Sequence, residues 1–95
     1  LIYVDTGAMY RTLALACLKQ EVDLSDEERV SETAEAAELD IRYIDGEQHV
    51  FLENEDVSGQ IRTEEVSKAA SDTSKFQRVR TRLVALQQQL AESPV

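Results

Sequence analysis

The first sixteen residues, Leu-Ile-Tyr-Val-Asp-Thr-Gly-Ala-Met-Tyr-Arg-Thr-Leu-Ala-Leu-Ala, constrain the fold of this chain more than any other stretch. Leu1 to Val4 form an apolar, β-prone run that needs burial on both faces, as strands of parallel α/β sheets do. The run stops at Asp5-Thr6-Gly7, where Thr6 can cap a helix. From Ala8 onward the sequence is rich in Ala and Leu and poor in β-branched residues, which favours a helix to about Gln20. The unit therefore reads strand, tight turn, helix. Such a corner sets backbone amides and the positive end of a helix dipole at the carboxyl edge of a sheet, where α/β proteins bind anions. Arg11, early in that helix, opposes the dipole unless it faces an anion; a phosphate resolves the conflict.

Ninety-five residues make one small domain at most, with proportionally little buried surface. The chain opens in mid-strand without an initiator Met and closes on Glu-Ser-Pro-Val, the pattern expected of a piece cut from a longer protein. No run of eighteen apolar residues is present to span a membrane, and no basic flank marks a secretory signal. Cys17 has no second cysteine to pair with. Lying in the most apolar helix, it reads as a small buried hydrophobe in a reducing, cytoplasmic setting.

The net charge of −9 argues against binding a nucleic acid polymer. Its distribution is more informative. Residues 21–60 hold fourteen acids against two bases, whereas 61–95 hold six bases against four acids. Positive charge gathers at the two ends of the chain, around Arg11 and around Arg62 to Arg82. If those ends meet they form a small cationic pocket in an acidic body, suited to a small anion.

Beyond the first helix, Glu21 to Leu24 connect to Ser25-Asp-Glu-Glu28, a capping box that opens a second helix to about Leu39. Its glutamates read as a solvated face rather than a catalytic pair, because nothing nearby sets their pKa values apart. Asp45-Gly46 between Ile41–Ile44 and Glu47–Leu52 is a strong hairpin signal. His49, the single histidine, reads as a strand residue facing solvent or a cross-strand neighbour, not a metal ligand. Glu53 to Asp56 read as an acidic turn without the ligand spacing of a calcium loop, followed by a short strand or extended segment from Val57 to Ile61. Thr63 caps a third helix that ends near 71–73. Ser74-Lys-Phe-Gln77 reads as a further capping box, opening a last helix that Pro94 stops. In that helix Phe76, Val79, Leu83, Leu86 and Leu90 form an apolar seam, expected to dock on the hairpin, with Arg78, Arg80 and Arg82 away from it.

Asp-Thr-Gly-Ala-Met-Tyr-Arg with Leu-Ala-Leu-Ala behind it resembles the second-strand signature of bacterial cytidylate (CMP) kinases. Glu-Asp-Val-Ser-Gly-Gln-Ile-Arg-Thr-Glu-Glu-Val at 55–66, Ala-Ala-Ser at 69–71 and the helix over 75–86 with Arg80 resemble the same family in the same order. The resemblance covers essentially the whole chain. It implies an α/β P-loop kinase, of which this piece, α+β by itself, carries a strand–helix unit of the core (1–22). The rest (23–95) corresponds to the nucleoside-monophosphate-binding region, a small antiparallel sheet packed with helices.

The resemblance also implies roles. Thr6 falls near the nucleotide sugar with Asp5 beside it, Arg11 falls on the arginine that holds the substrate phosphate, and Ser71 and Arg80 fall on positions that read the cytosine ring. Arg62 lies in a family motif but reads as a brace for its loop. The reaction implied is transfer of the ATP γ-phosphoryl group to CMP or dCMP, with magnesium, in which positioning and charge neutralisation dominate. Gly7, Gly46 and Gly59 cannot form the Gly-x-x-x-x-Gly-Lys-Ser/Thr loop that cradles ATP. The piece alone is therefore expected to bind neither ATP nor metal and to be inactive. The alternative is a non-enzymatic acidic helical module that self-associates through the Phe76–Leu90 seam.

Overall fold

In a computed structural model the described residues, 5–91, form four α-helices and a three-stranded antiparallel sheet. This is the α+β arrangement expected of the piece. The strand expected over 1–4 and the stop expected at Pro94 lie outside the described residues.

Asp5, rather than Thr6, caps α1 (Thr6–Lys19). Its Oδ1 accepts from the Ala8 amide at 3.2 Å, and Thr6 becomes the first helical residue. A carboxylate wins this position because it adds an attractive charge to the hydrogen bond at the positive helix end. Ala8, Met9 and the run from Thr12 to Cys17 are buried, so α1 is the central element of the core. Thr12 is accommodated there by donating its hydroxyl to the Ala8 carbonyl at 2.8 Å. Burial pushes the Cys17 thiol up to about 11, consistent with its reading as a core residue.

The helix ends in a Schellman turn. Glu21 is left-handed at φ 55°, its amide donates to Leu18 and that of Val22 donates to Cys17. The cap of α2 (Glu27–Ala36) is Asp26, one residue later than expected, because Ser25 is engaged by the Asp23 carboxylate through both its amide and its hydroxyl. The helix also stops earlier than expected. Leu39 is taken by the sheet, where it opens β1 (Leu39–Ile44) opposite Leu52 of β2 (Glu47–Leu52).

The hairpin turns on Asp45-Gly46 as expected, with positive φ at both residues. A second tight turn follows at Glu53-Asn54, again with both φ positive, and the two-residue strand β3 (Glu55–Asp56) pairs with β2. The acidic turn is thus half as long as expected. The short strand or extended segment expected after it is instead a turn leading into a 3₁₀ helix at Gln60–Arg62. His49 meets a cross-strand neighbour, its Nδ1 lying 2.7 Å from Oδ2 of Asp56.

Thr63 caps α3 (Glu64–Thr73), accepting from the Val66 amide. The hydroxyl of Ser74 donates to the Ser71 carbonyl instead of capping, and α4 (Gln77–Ala91) begins three residues later. Val79, Leu83, Leu86 and Leu90 are all buried, with Phe76 partly so. Their seam packs within the chain against α2, α1 and β1, so helices supply much of the docking expected of the hairpin. Arg82 does not stand clear of this packing: it donates to the carbonyls of Ala34 and Ala37 and closes the C-terminal end of α2.

Candidate anion-binding cleft

Ala14 of α1 packs against Ala69 and Ala70 of α3, and three small side chains let the two helices approach closely. On the exposed side of this contact the helices leave a cleft of about 490 Å³. Gly7 and, one helical turn on, Tyr10 and Arg11 line it from α1. Ser67, Ala70 and Ser71 line it from α3, and Ser74 and Arg80 close its end. No lining residue is acidic, although the chain as a whole carries −9. One arginine from each cationic end, Arg11 and Arg80, meets the other here, whereas Arg62, Arg78 and Arg82 lie elsewhere.

Arg11 is half-buried and makes no hydrogen bond or ion pair within the described residues. Its guanidinium lies across the first turn of α1: a methyl group placed on Gly7 would stand 3.1 Å from Nη1. The amides of Thr6 and Gly7, like the first amides of any helix, have no acceptor within their helix. A free guanidinium over a helix N-terminus is a receptor for an anionic oxygen group.

Arg80 is held differently. Its Nη1 donates to the carbonyls of Ser74 (3.1 Å) and Lys75 (2.6 Å), and its Nη2 donates to Oε1 of Gln77 at 2.8 Å. The hydroxyl of Ser71 donates to the Ser67 carbonyl at 3.3 Å, leaving its oxygen free to accept. Two clamps fix α4 on its opposite side. Arg78 grips Glu35 with two bonds, and Arg82 holds the α2 carbonyls.

Of the residues singled out from sequence, Arg11, Ser71 and Arg80 come together in the cleft. Asp5 and Thr6 do not line it; they form the start of α1 beside Gly7, Asp5 as cap and Thr6 exposed. Arg62 is exposed in the 3₁₀ turn, away from the cleft. Sequence reasoning gave no site role to Gly7, Tyr10, Ser67 and Ser74 in the lining, or to Gln77 behind Arg80. Helical spacing signals two of them, since Gly7 is four residues before Arg11 and Ser67 four before Ser71.

The family model for cytidylate kinase matches residues 1–95. The chain belongs to the cytidylate kinase family. A cytidylate kinase of Caldicellulosiruptor bescii is 46% identical over 91 residues, which is 96% of this chain and 40% of that protein. Cytidylate kinases of Salmonella paratyphi B and Salmonella newport are each 47% identical over 93 residues, with the same shares covered. This cytidylate kinase family chain thus spans about 40% of the length of the curated relatives it matches. Among its described residues no helix is long and apolar enough to cross a membrane, and no group of three or more His, Cys, Asp or Glu side chains is arranged to hold a metal.

Proposed function

We propose that this chain is the CMP-recognising part of a cytoplasmic cytidylate kinase that transfers the γ-phosphoryl group of ATP to CMP or dCMP. Residues 1–22 belong to the kinase core in this reading, and 23–95 form the nucleoside-monophosphate-binding region. The observation that carries it is the meeting of Arg11 with Ser71 and Arg80, sixty residues and more along the chain from it, on one cleft free of acids. Arg11 takes the substrate phosphate, where a guanidinium presents paired donors to its oxygens. Ser71 and Arg80 read the polar edge of cytosine, and Thr6 and Asp5 stand near the sugar.

The residues present do not fit ATP and magnesium. Gly7 lies inside α1, Gly46 in the hairpin turn and Gly59 before the 3₁₀ turn, so no glycine-rich phosphate loop is formed from them. ATP and magnesium are assigned to the remainder of the enzyme, which would supply the γ-phosphoryl group and the charge that steadies it in flight. What this chain contributes is grip and orientation of the acceptor. Alone, it transfers no phosphate; turnover of ATP with CMP in a coupled assay would overturn that.

The direct test is a two-dimensional amide NMR titration of the chain with CMP, against UMP and AMP. Shifts at Arg11, Ser71 and Arg80 with CMP, weaker with the other two, are the expected result. Shifts confined to other faces of a well-dispersed spectrum would remove the cleft from the reading.

A further inference from the structure

The plane of the Arg80 guanidinium is set by three acceptors clustered at the junction of α3 and α4. Two are main-chain carbonyls, Ser74 and Lys75, which any residue supplies. The third is the side-chain oxygen of Gln77, 2.8 Å from Nη2. A guanidinium carries five N–H donors in a rigid fork, so three are used here and two remain. The carbonyls hold one end of the group, at Nη1. The Gln77 contact adds a third anchor at Nη2, the end nearer the remaining donors, and the Gln77 amide itself donates to the hydroxyl of Thr81 at 3.4 Å.

We infer that Gln77 is a positioning residue that fixes the Arg80 guanidinium so that its remaining donors meet the base of the bound nucleoside monophosphate in one orientation. The inference rests on the reading above, in which Arg80 faces the base. Gln77 is exposed and outside the core, so its i,i+3 contact with Arg80 is not a by-product of core packing. The chemistry supports a selective role. Cytosine offers adjacent acceptors at its ring nitrogen and carbonyl, whereas uracil offers a donor at that nitrogen. A fork held in one plane discriminates between them, and a fork free to turn reaches the carbonyl of either base.

The test is steady-state kinetics of the complete kinase that carries this chain, with CMP and UMP as acceptors and ATP saturating. Gln77→Ala is expected to raise KM for CMP about three- to tenfold, the loss of roughly one hydrogen bond's worth of alignment, with kcat little changed and the CMP preference over UMP reduced. Gln77→Glu, which keeps an oxygen acceptor at the same place, is expected to restore both. In an Arg80→Ala background, Gln77→Ala is expected to add nothing. If Arg80→Ala abolishes the preference while Gln77→Ala does not change it, the role of Gln77 is overturned and the reading of the cleft stands. An equal loss from Gln77→Ala with and without Arg80 also overturns it, as does failure of Gln77→Glu to rescue. If Arg80→Ala itself leaves the preference intact, the assignment of Arg80 to the base fails first.

Discussion

Arg78 on α4 holds Glu35 on α2 through two bonds, Nη2 to Oε1 at 2.7 Å and Nε to Oε2 at 3.1 Å. Two residues further along, Arg80 points from the other side of α4 into the cleft, because two residues advance a helix by about 200°. The ion pair and the candidate base-reading arginine are thus opposite faces of one element. What fixes α4 against α2 also fixes where Arg80 begins.

The pair makes a prediction in pH. The hydrogen bond from Arg78 holds the Glu35 carboxyl below its ordinary value of 4.5; partial desolvation opposes this, and the charges of Arg78 and Arg82 add to it. Because the folded value is depressed, the contribution to stability is complete above about 4.5 and is lost as pH falls through the folded value. In Arg78→Gln, side-chain carboxyl NMR is expected to show the Glu35 midpoint rising toward 4.5. A midpoint that stays put would mean that the two side chains are apart in solution.

Glu21 offers a test of the backbone. It occupies the left-handed position of the Schellman turn after α1, at φ 55°, where glycine is the usual residue. A side chain there costs about 1 kcal/mol, and an acid at the negative end of a helix adds to the penalty. Glu21→Gly is therefore expected to raise the urea midpoint, with an unfolding free energy about 1 kcal/mol higher. An unchanged or lower midpoint would show that Glu21 is stabilised by something other than this turn.

The parts of the fold that were legible in sequence are those decided locally. Asp45-Gly46 specifies its hairpin because few other residue pairs tolerate two positive φ angles, and the two-residue turn then sets the register Ile44 to Glu47. Thr63 and the acids behind it mark α3 for a similar reason. Where several residues in a row can cap, sequence does not choose: Asp23, Ser25 and Asp26 compete, and the Asp23–Ser25 contacts leave Asp26 as the cap. The strand β3 escaped notice because its turn uses Glu53 and Asn54 without a glycine.

The candidate site divides the same way. Motif resemblance named Arg11, Ser71 and Arg80, but their convergence depends on the alanine contact between α1 and α3, which no local pattern announces. In sequence Gln77 signals only a helix start, as the last residue of the Ser74–Gln77 capping box. The part proposed for it rests on a contact that only the structure supplies, from Nη2 of Arg80.

Gly7 joins stability to binding, and the two are expected to move in opposite directions. A methyl group there would lie 3.1 Å from Nη1 of Arg11 and 3.3 Å from Oδ1 of Asp5, closer than ordinary van der Waals contact. Gly7 sits inside α1, so alanine suits the backbone and favours the helix by up to about 1 kcal/mol. The cap at Asp5 is tied to the Ala8 amide, whereas the Arg11 head has no bond to hold it, so Arg11 is the group that yields. Its displacement from the first turn separates the guanidinium from the helix N-terminus with which it would share a phosphate. Gly7→Ala in the complete kinase is expected to raise the unfolding midpoint while weakening CMP binding about tenfold, roughly one charge-assisted hydrogen bond, as read by calorimetric titration. Cytidine, which lacks the phosphate, is expected to lose little by comparison. Equal losses for CMP and cytidine would place the effect on the sugar or base and remove Arg11 from the phosphate.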